Sequence, residues 1–294
     1  MRYEELAPPA ELRELVHRIW LLRGAAAPGP APFQRVMPDG RAELIFNLAD
    51  PFECRDGDGA RAQPLALLVG PNRRAMEIRA TGAVDLVGVR FRPEALSAWL
   101  RVSGGELLDR ASALGELPAP LDRTLAEQLA EARSSGPRLA ILRSHLAQAA
   151  SRVAFDRRIG AAVDLALADG RARPAAIAEA VGMSYRQLSR LFQQRLGFGP
   201  KPLVRLGRFQ RALRALEGPR RRSVAAAAVG AGYFDQAHLA RDFRLFAGIA
   251  PGRYLREARE LTRNFIADLE ETPRRTCADS EVGGFFQAPA REAS

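Results

Sequence analysis

The sequence predicts an α+β domain over residues 1–150, a small antiparallel sheet or barrel with accompanying helices. An all-α domain follows over 155–265, two helix-turn-helix units joined by a linker helix. Three observations carry this. Short β-rich runs between turn signals cluster within 33–91. From Phe155 onward the pattern becomes helical, and one stretch of it recurs 51 positions later. The charge is also segregated: 155–265 hold 21 Arg or Lys against 9 Asp or Glu, a net of +12, while the whole chain of 294 residues carries +10. The rest of the chain is therefore slightly acidic, and the basic segment is suited to a polyanion whose counterions it would release.

The bulk numbers set the frame. A chain this long supports two cores. No apolar run approaches the roughly 18 residues a membrane span requires. The opening Met1-Arg2-Tyr3-Glu4-Glu5 carries no secretory h-region, so a cytoplasmic location is expected and no membrane partner. Cys54 and Cys277 lie far apart with no CxxC spacing, which argues against a thiolate zinc site or a disulfide framework and for two reduced thiols. Lys201 is the sole lysine, so nearly all basic charge is arginine.

In the first domain, Pro38-Asp39-Gly40 is a turn signal ahead of the strand-like run Ala42–Leu48. Leu65–Val69 forms a second run, Ala75–Ala80 a third, and Val84–Phe91 a fourth. In the last, Val87, Val89 and Phe91 alternate with Gly88 and Arg90, the period of a half-buried strand. Pro93 suits a first helical position, with Leu96, Trp99 and Leu100 sharing one face. Leu121, Leu125 and Leu129 make one helical stripe; Leu139, Leu142, Leu146 and Ala149 make another beyond the break Ser134-Ser135-Gly136-Pro137. These stripes pack on the sheet or form a dimer interface, and the pattern alone does not choose. Residues 272–294 are polar and small and are expected to form a disordered tail.

In the second domain, Leu188, Arg190, Phe192, Gly197 and Pro200 recur as Leu239, Arg241, Phe243, Gly248 and Pro251. Each set follows an Ala-rich helix ending in Gly, Ala175–Gly182 and Ala225–Gly232. Two copies of one helix–turn–helix unit account for this. In the second helix of unit one, Leu188, Leu191 and Phe192 face inward, leaving Arg186, Ser189, Arg190 and Gln193 outside. In unit two, Leu239, Phe243 and Phe246 face inward, leaving Gln236, Ala237, Ala240, Arg241 and Arg244 outside. Arg and Gln on an exposed helix are the residue types that read guanine and adenine edges in the major groove. Leu203, Leu206, Phe209, Leu213 and Leu216 mark a linker helix between the units. Lys201, Arg205, Arg208, Arg211, Arg214, the run Arg220-Arg221-Arg222, and Arg244 are candidate phosphate contacts, which position a protein without specifying sequence.

Residues Gly182–Gly197, with Ser184, Arg186, Leu188, Arg190 and Phe192, resemble the first helix-turn-helix of the AraC/XylS regulators; Gly232–Phe243, followed by Gly248, Pro251 and Tyr254, resembles the second. The resemblance implies a seven-helix domain of two homeodomain-like units with recognition helices in successive major-groove segments. It assigns base contact to Arg186, Ser189, Arg190, Gln236, Ala237 and Arg241, Ala237 departing from the polar residue some members carry. Residues 1–150 are similar to a short β-rich domain of one branch, through Pro38-Asp39-Gly40, Val69-Gly70-Pro71 and Gly88–Pro93. That implies a sensing or dimerising role. Double-stranded DNA is the implied partner, with RNA polymerase, an unnamed small-molecule effector and a second copy of the chain as further ones; no cofactor is expected.

Two other readings stand against this regulator. A metal-dependent cupin-type enzyme would need several His with a carboxylate, and the chain has only His17, His145 and His238, without paired spacing. His17, beside Ile19 and Trp20, reads as a packed histidine. A ligand-binding module whose basic domain associates with nucleic acid only non-specifically is the third reading, and a specificity ratio separates it from the first. DNA alkyl-repair proteins with a similar helix pair need reactive cysteines in their N-terminal part, where only Cys54 lies.

Overall fold

A computed structural model of the chain describes residues 2–25, 31–57, 59–117, 124–151, 153, 155–218 and 222–257. The first domain holds strands β1 (Arg2–Leu6), β2 (Val16–Gly24), β3 (Gln34–Val36), β4 (Glu43–Asn47), β5 (Phe52–Asp56), β6 (Gly59–Ala62), β7 (Ala66–Val69), β8 (Met76–Ala80), β9 (Val84–Phe91) and β10 (Ala111–Ala113). Its helices are α1 (Leu96–Leu100), α2 (Gly104–Leu107), α3 (Leu125–Glu131) and α4 (Ser135–Ala150). The strands make two antiparallel sheets, ordered β1-β2-β9-β4-β7-β10 and β3-β8-β5-β6.

Trp20, Leu22, Ile45, Leu67, Val69, Val84 and Leu86 of the large sheet meet Val36, Phe52 and Ile78 of the small one in a single core. The opposite face of the large sheet carries Val87, Val89 and Phe91 against Leu96, Trp99, Leu125, Leu129, Leu142 and Leu146. The domain therefore has three layers: small sheet, large sheet, helices. Strand β9 is buried along both faces, not half-buried as its alternation predicted. Gly88 and Arg90, which look like its solvent side, have buried tasks. The Trp20 ring occupies the space that a Cβ on Gly88 would need. Arg90 is 2% exposed and is bonded to Glu43 at 2.6 Å, with Asp39 and Glu5 at 3.8 and 3.9 Å. A buried charge persists only when compensated in this way.

Other expectations shift too. Pro93 lies in a turn, and α1 begins at Leu96 with Ala95 as its N-cap. Strands β1 and β2 precede the region in which strands were expected. The expected break between the stripes falls slightly earlier, after α3, and Ser135, Gly136 and Pro137 form the first turn of α4, where Pro is tolerated. The Leu stripes of α3 and α4 pack on the sheet: Leu125, Leu129, Leu142 and Leu146 are fully buried there. Arg138 anchors α4, donating to both carboxylate oxygens of Asp85 at 2.6 and 2.7 Å. Leu121 and the expected tail lie outside the described residues.

The second domain comprises α5 (Arg157–Ala168), α6 (Pro174–Ala180), α7 (Tyr185–Leu196), α8 (Pro200–Glu217), α9 (Val224–Ala231) and α10 (Gln236–Ala247), and 251–257 are also helical. One core runs through it from Ile159 to Ile249 and takes in Met37 of the first domain.

Candidate nucleic-acid interface

Each unit is a pair of helices, α6–α7 and α9–α10, set on the linker helix α8. The turns between them begin alike. Gly182 (φ +67°) and Gly232 (φ +95°) adopt the left-handed conformation that ends the first helix. The amide of the next residue closes back on that helix in both units, Met183 to the carbonyl of Ala178 and Tyr233 to that of Ala228, each at 2.9 Å. Ser184 then caps α7 in a reciprocal box with Gln187. Asp235 caps α10, its side chain accepting from the His238 amide. Gly197 and Gly248 end both second helices in the left-handed region.

The helices are set by their apolar faces. Leu188 and Phe192 of α7 and their repeats Leu239 and Phe243 of α10 are all fully buried. That packing leaves Arg186, Gln187 and Arg190 of α7, and Gln236, Ala237, Arg241 and Arg244 of α10, exposed to solvent. Ser189 is half-buried, and its Oγ is shielded from solvent with no hydrogen-bond partner.

The cations of the linker helix divide. Lys201 is exposed. Arg205 is committed within the fold, its Nε donating at 2.7 Å to Asp242, a carboxylate only 1% exposed inside α10. That hydrogen bond raises the arginine's pKa. Arg208 is half-buried with its guanidinium 5.2 Å from the centre of the Tyr233 ring. Arg211 bonds the carbonyl of Ala168, and Arg214 is exposed. Arg220 and Arg221 lie outside the described residues.

The first domain braces this assembly at three places. The Pro38-Asp39-Gly40 turn sits on α8, where Gln210 donates to the Pro38 carbonyl and a Cβ on Gly40 would stand 3.1–3.2 Å from Leu203 and Leu206. Gly104 of α2 abuts the end of α7: a Cβ there would stand 2.5 Å from the Arg195 carbonyl and the Gly197 nitrogen. The Ala75 amide donates at 2.6 Å to the Phe246 carbonyl of α10. Both second helices and the linker therefore touch the first domain.

Among the described residues no group of three or more His, Cys, Asp or Glu could hold a metal ion, and no helix is long and apolar enough to cross a membrane. His17 is part-buried, and desolvation with the nearby Arg41 pushes its pKa down to about 3. His145 bonds Gln128, and His238 packs edge-on against Tyr233.

These features define a helix-turn-helix DNA-binding protein: two capped second helices, alike in build, expose arginine and glutamine from a basic domain. A family model described as a helix-turn-helix domain matches residues 177–257, and one described as a domain of unknown function, DUF6597, matches residues 4–113. A transcriptional regulator with an AraC-type DNA-binding domain from Chromobacterium violaceum is 30% identical over 35% of this chain and 92% of its own, with a TM-score of 0.33. ToxT from Vibrio cholerae is 10% identical over 87% of this chain and 98% of its own, with a TM-score of 0.46. ToxT with bound unsaturated fatty acid is 11% identical over 80% and 94%, with a TM-score of 0.43. No curated protein matches the sequence. The chain belongs to the AraC/XylS family of transcriptional regulators, and it carries a β-rich N-terminal domain.

Proposed function

We propose that this DNA-binding regulator reads two successive major-groove segments of one duplex, α7 entering the first and α10 the second. In this reading Arg186 and Arg190 take base edges from unit one, and Gln236, Ala237 and Arg241 take them from unit two. Lys201 and Arg244 contact phosphates. Ser189 and Arg205 drop to supporting roles, because the hydroxyl is shielded and the guanidinium is engaged. The observation that carries the proposal is the matched pair Arg190 and Arg241. Both are exposed on the helix face opposite a fully buried Leu and Phe, 51 residues apart in the chain.

The test is discrimination, not affinity, since charge alone gives salt-dependent binding to any duplex. With a site selected from random duplexes, Arg190→Ala and Arg241→Ala each relax preference at one base pair by about 1–3 kcal/mol, at separate positions. Equal losses on the selected site and on random DNA would refute the assigned roles. The proposal extends to a small-molecule effector. A cavity of about 390 Å³ at the domain junction, lined by Arg13, Arg92, Glu94, Asp164 and Arg195 among others, has the volume of a ligand site. RNA polymerase and a second copy of the chain complete the proposed partners.

A further inference from the structure

The two units are not the same length. Ala178 and Gly182 recur 50 positions later as Ala228 and Gly232, whereas Leu188, Arg190 and Phe192 recur 51 positions later. One extra residue therefore lies in the turn of unit two. Backbone bonding identifies it. The amides of Met183 and Tyr233 make the same bond to the preceding helix, and both side chains are buried, at 8% and 4% exposure. In unit one the helix cap Ser184 comes next; in unit two Phe234 intervenes before the cap Asp235.

Phe234 is 89% exposed, more than any other large hydrophobic side chain among the described residues. The fold gains almost nothing from an aromatic ring held in water. Phe234 heads an unbroken exposed run, Phe234–Ala237, at the N-terminal end of α10. In helix-turn-helix proteins the N-terminal residues of the second helix reach base edges. Three positions on stands Ala237, also exposed and apolar. Ala and Phe are side chains that contact the C5-methyl group of thymine in the major groove.

We infer that Phe234, together with Ala237, reads thymine methyl groups in the DNA segment facing unit two. This rests on the two-segment reading proposed above and adds a base preference to it: hydrogen-bonding readout from unit one, partly apolar readout from unit two. Phe234 is a specificity-determining residue supplied by the one-residue insertion.

The experiment uses full-length protein and a duplex selected from a random pool. Each thymine is replaced in turn by deoxyuridine, which removes only the methyl group. Wild type loses about fourfold in affinity at one or two thymines of the unit-two segment, the value of one buried methyl. Phe234→Ala starts weaker by a similar factor and is indifferent to uridine at the thymine that Phe234 contacts, while losses at other thymines, including any that Ala237 contacts, persist. Phe234→Leu keeps most of the sensitivity. An unchanged uridine profile in Phe234→Ala overturns the inference, as does an equal loss on selected and random duplexes. A wild-type selection that enriches no sequence defeats the two-segment reading first, before Phe234 is substituted, and the inference falls with it.

Discussion

Unit one and unit two share a core, the opening of a turn and a pair of caps, yet the contacts added to that core differ between their second helices. In α7 Leu191 is half-buried against the core. In α10 the position 51 residues later is Asp242, buried and bonded to Arg205 of α8. Unit one is also wedged from outside, by Gly104 of the first domain against the end of α7. Unit two is tied from its far side, where Tyr254 donates to Glu217 at the end of α8. One repeated pattern thus packs the same buried Leu and Phe in both copies and adds a buried polar pair in the second. Polar pairing is the more fragile, because removing one partner leaves a buried group uncompensated.

Asp242→Ala should separate the two units most. We expect a loss of about 3 kcal/mol in denaturant unfolding, at the low end for a broken buried pair because Arg205 is part-exposed. Leu191→Ala, at the matching place, is expected to cost about half as much, since Leu191 is only part-buried. Equal costs would show that polar pairing does not distinguish the units.

Gly104→Ala tests the outside wedge. The new Cβ meets backbone atoms that cannot swing away, so about 2 kcal/mol of overpacking is expected. Base preference in the unit-one segment should blur while the unit-two segment is unaffected, which a paired selection experiment would reveal.

A smaller effect depends on pH. Burial pushes the Glu217 carboxyl up from its ordinary value near 4.5 to about 7. An acid with a raised folded pKa binds its proton more tightly when folded. Its contribution is therefore complete below about pH 4.5 and is lost as pH rises through 7. The loss should be about 1–2 kcal/mol, allowing for partial exposure, and Glu217→Gln should flatten that slope in unfolding measured from pH 4.5 to 8. A slope retained in the variant would assign it to another group.

Smallest is Ser184→Ala, which opens the box that starts α7. A cost of about 1 kcal/mol in thermal unfolding is expected. Asp235→Ala should cost the same or slightly less, since Asp235 has no reciprocal partner three residues on.

Much of the candidate interface is legible in the sequence. The repeat reveals both helix pairs, and helical period places Arg186, Arg190, Gln236, Arg241 and Arg244 outside. Ser189 and Arg205 depart from that placement for a common reason. Periodicity assigns a face but does not see what stands opposite, here neighbouring structure over the hydroxyl and Asp242 beside the guanidinium. Phe234 escapes a reading by motif although its signal is present, the step from a 50-residue to a 51-residue offset within one repeat. In the first domain, alternation makes β9 look half-exposed at Gly88 and Arg90, and only Trp20 and Glu43 reveal both as buried.

The order of residues is enough to set the two domain classes, the doubled helix pair, the caps and the basic charge of the second domain. These depend on local chemistry, which acts over a few positions. The seating of the Pro38–Gly40 turn on α8, the approach of α2 to α7 and the pairing of Asp242 with Arg205 emerge only once the chain is folded. Those contacts join residues tens to more than a hundred positions apart, and no local preference encodes which distant surfaces will meet.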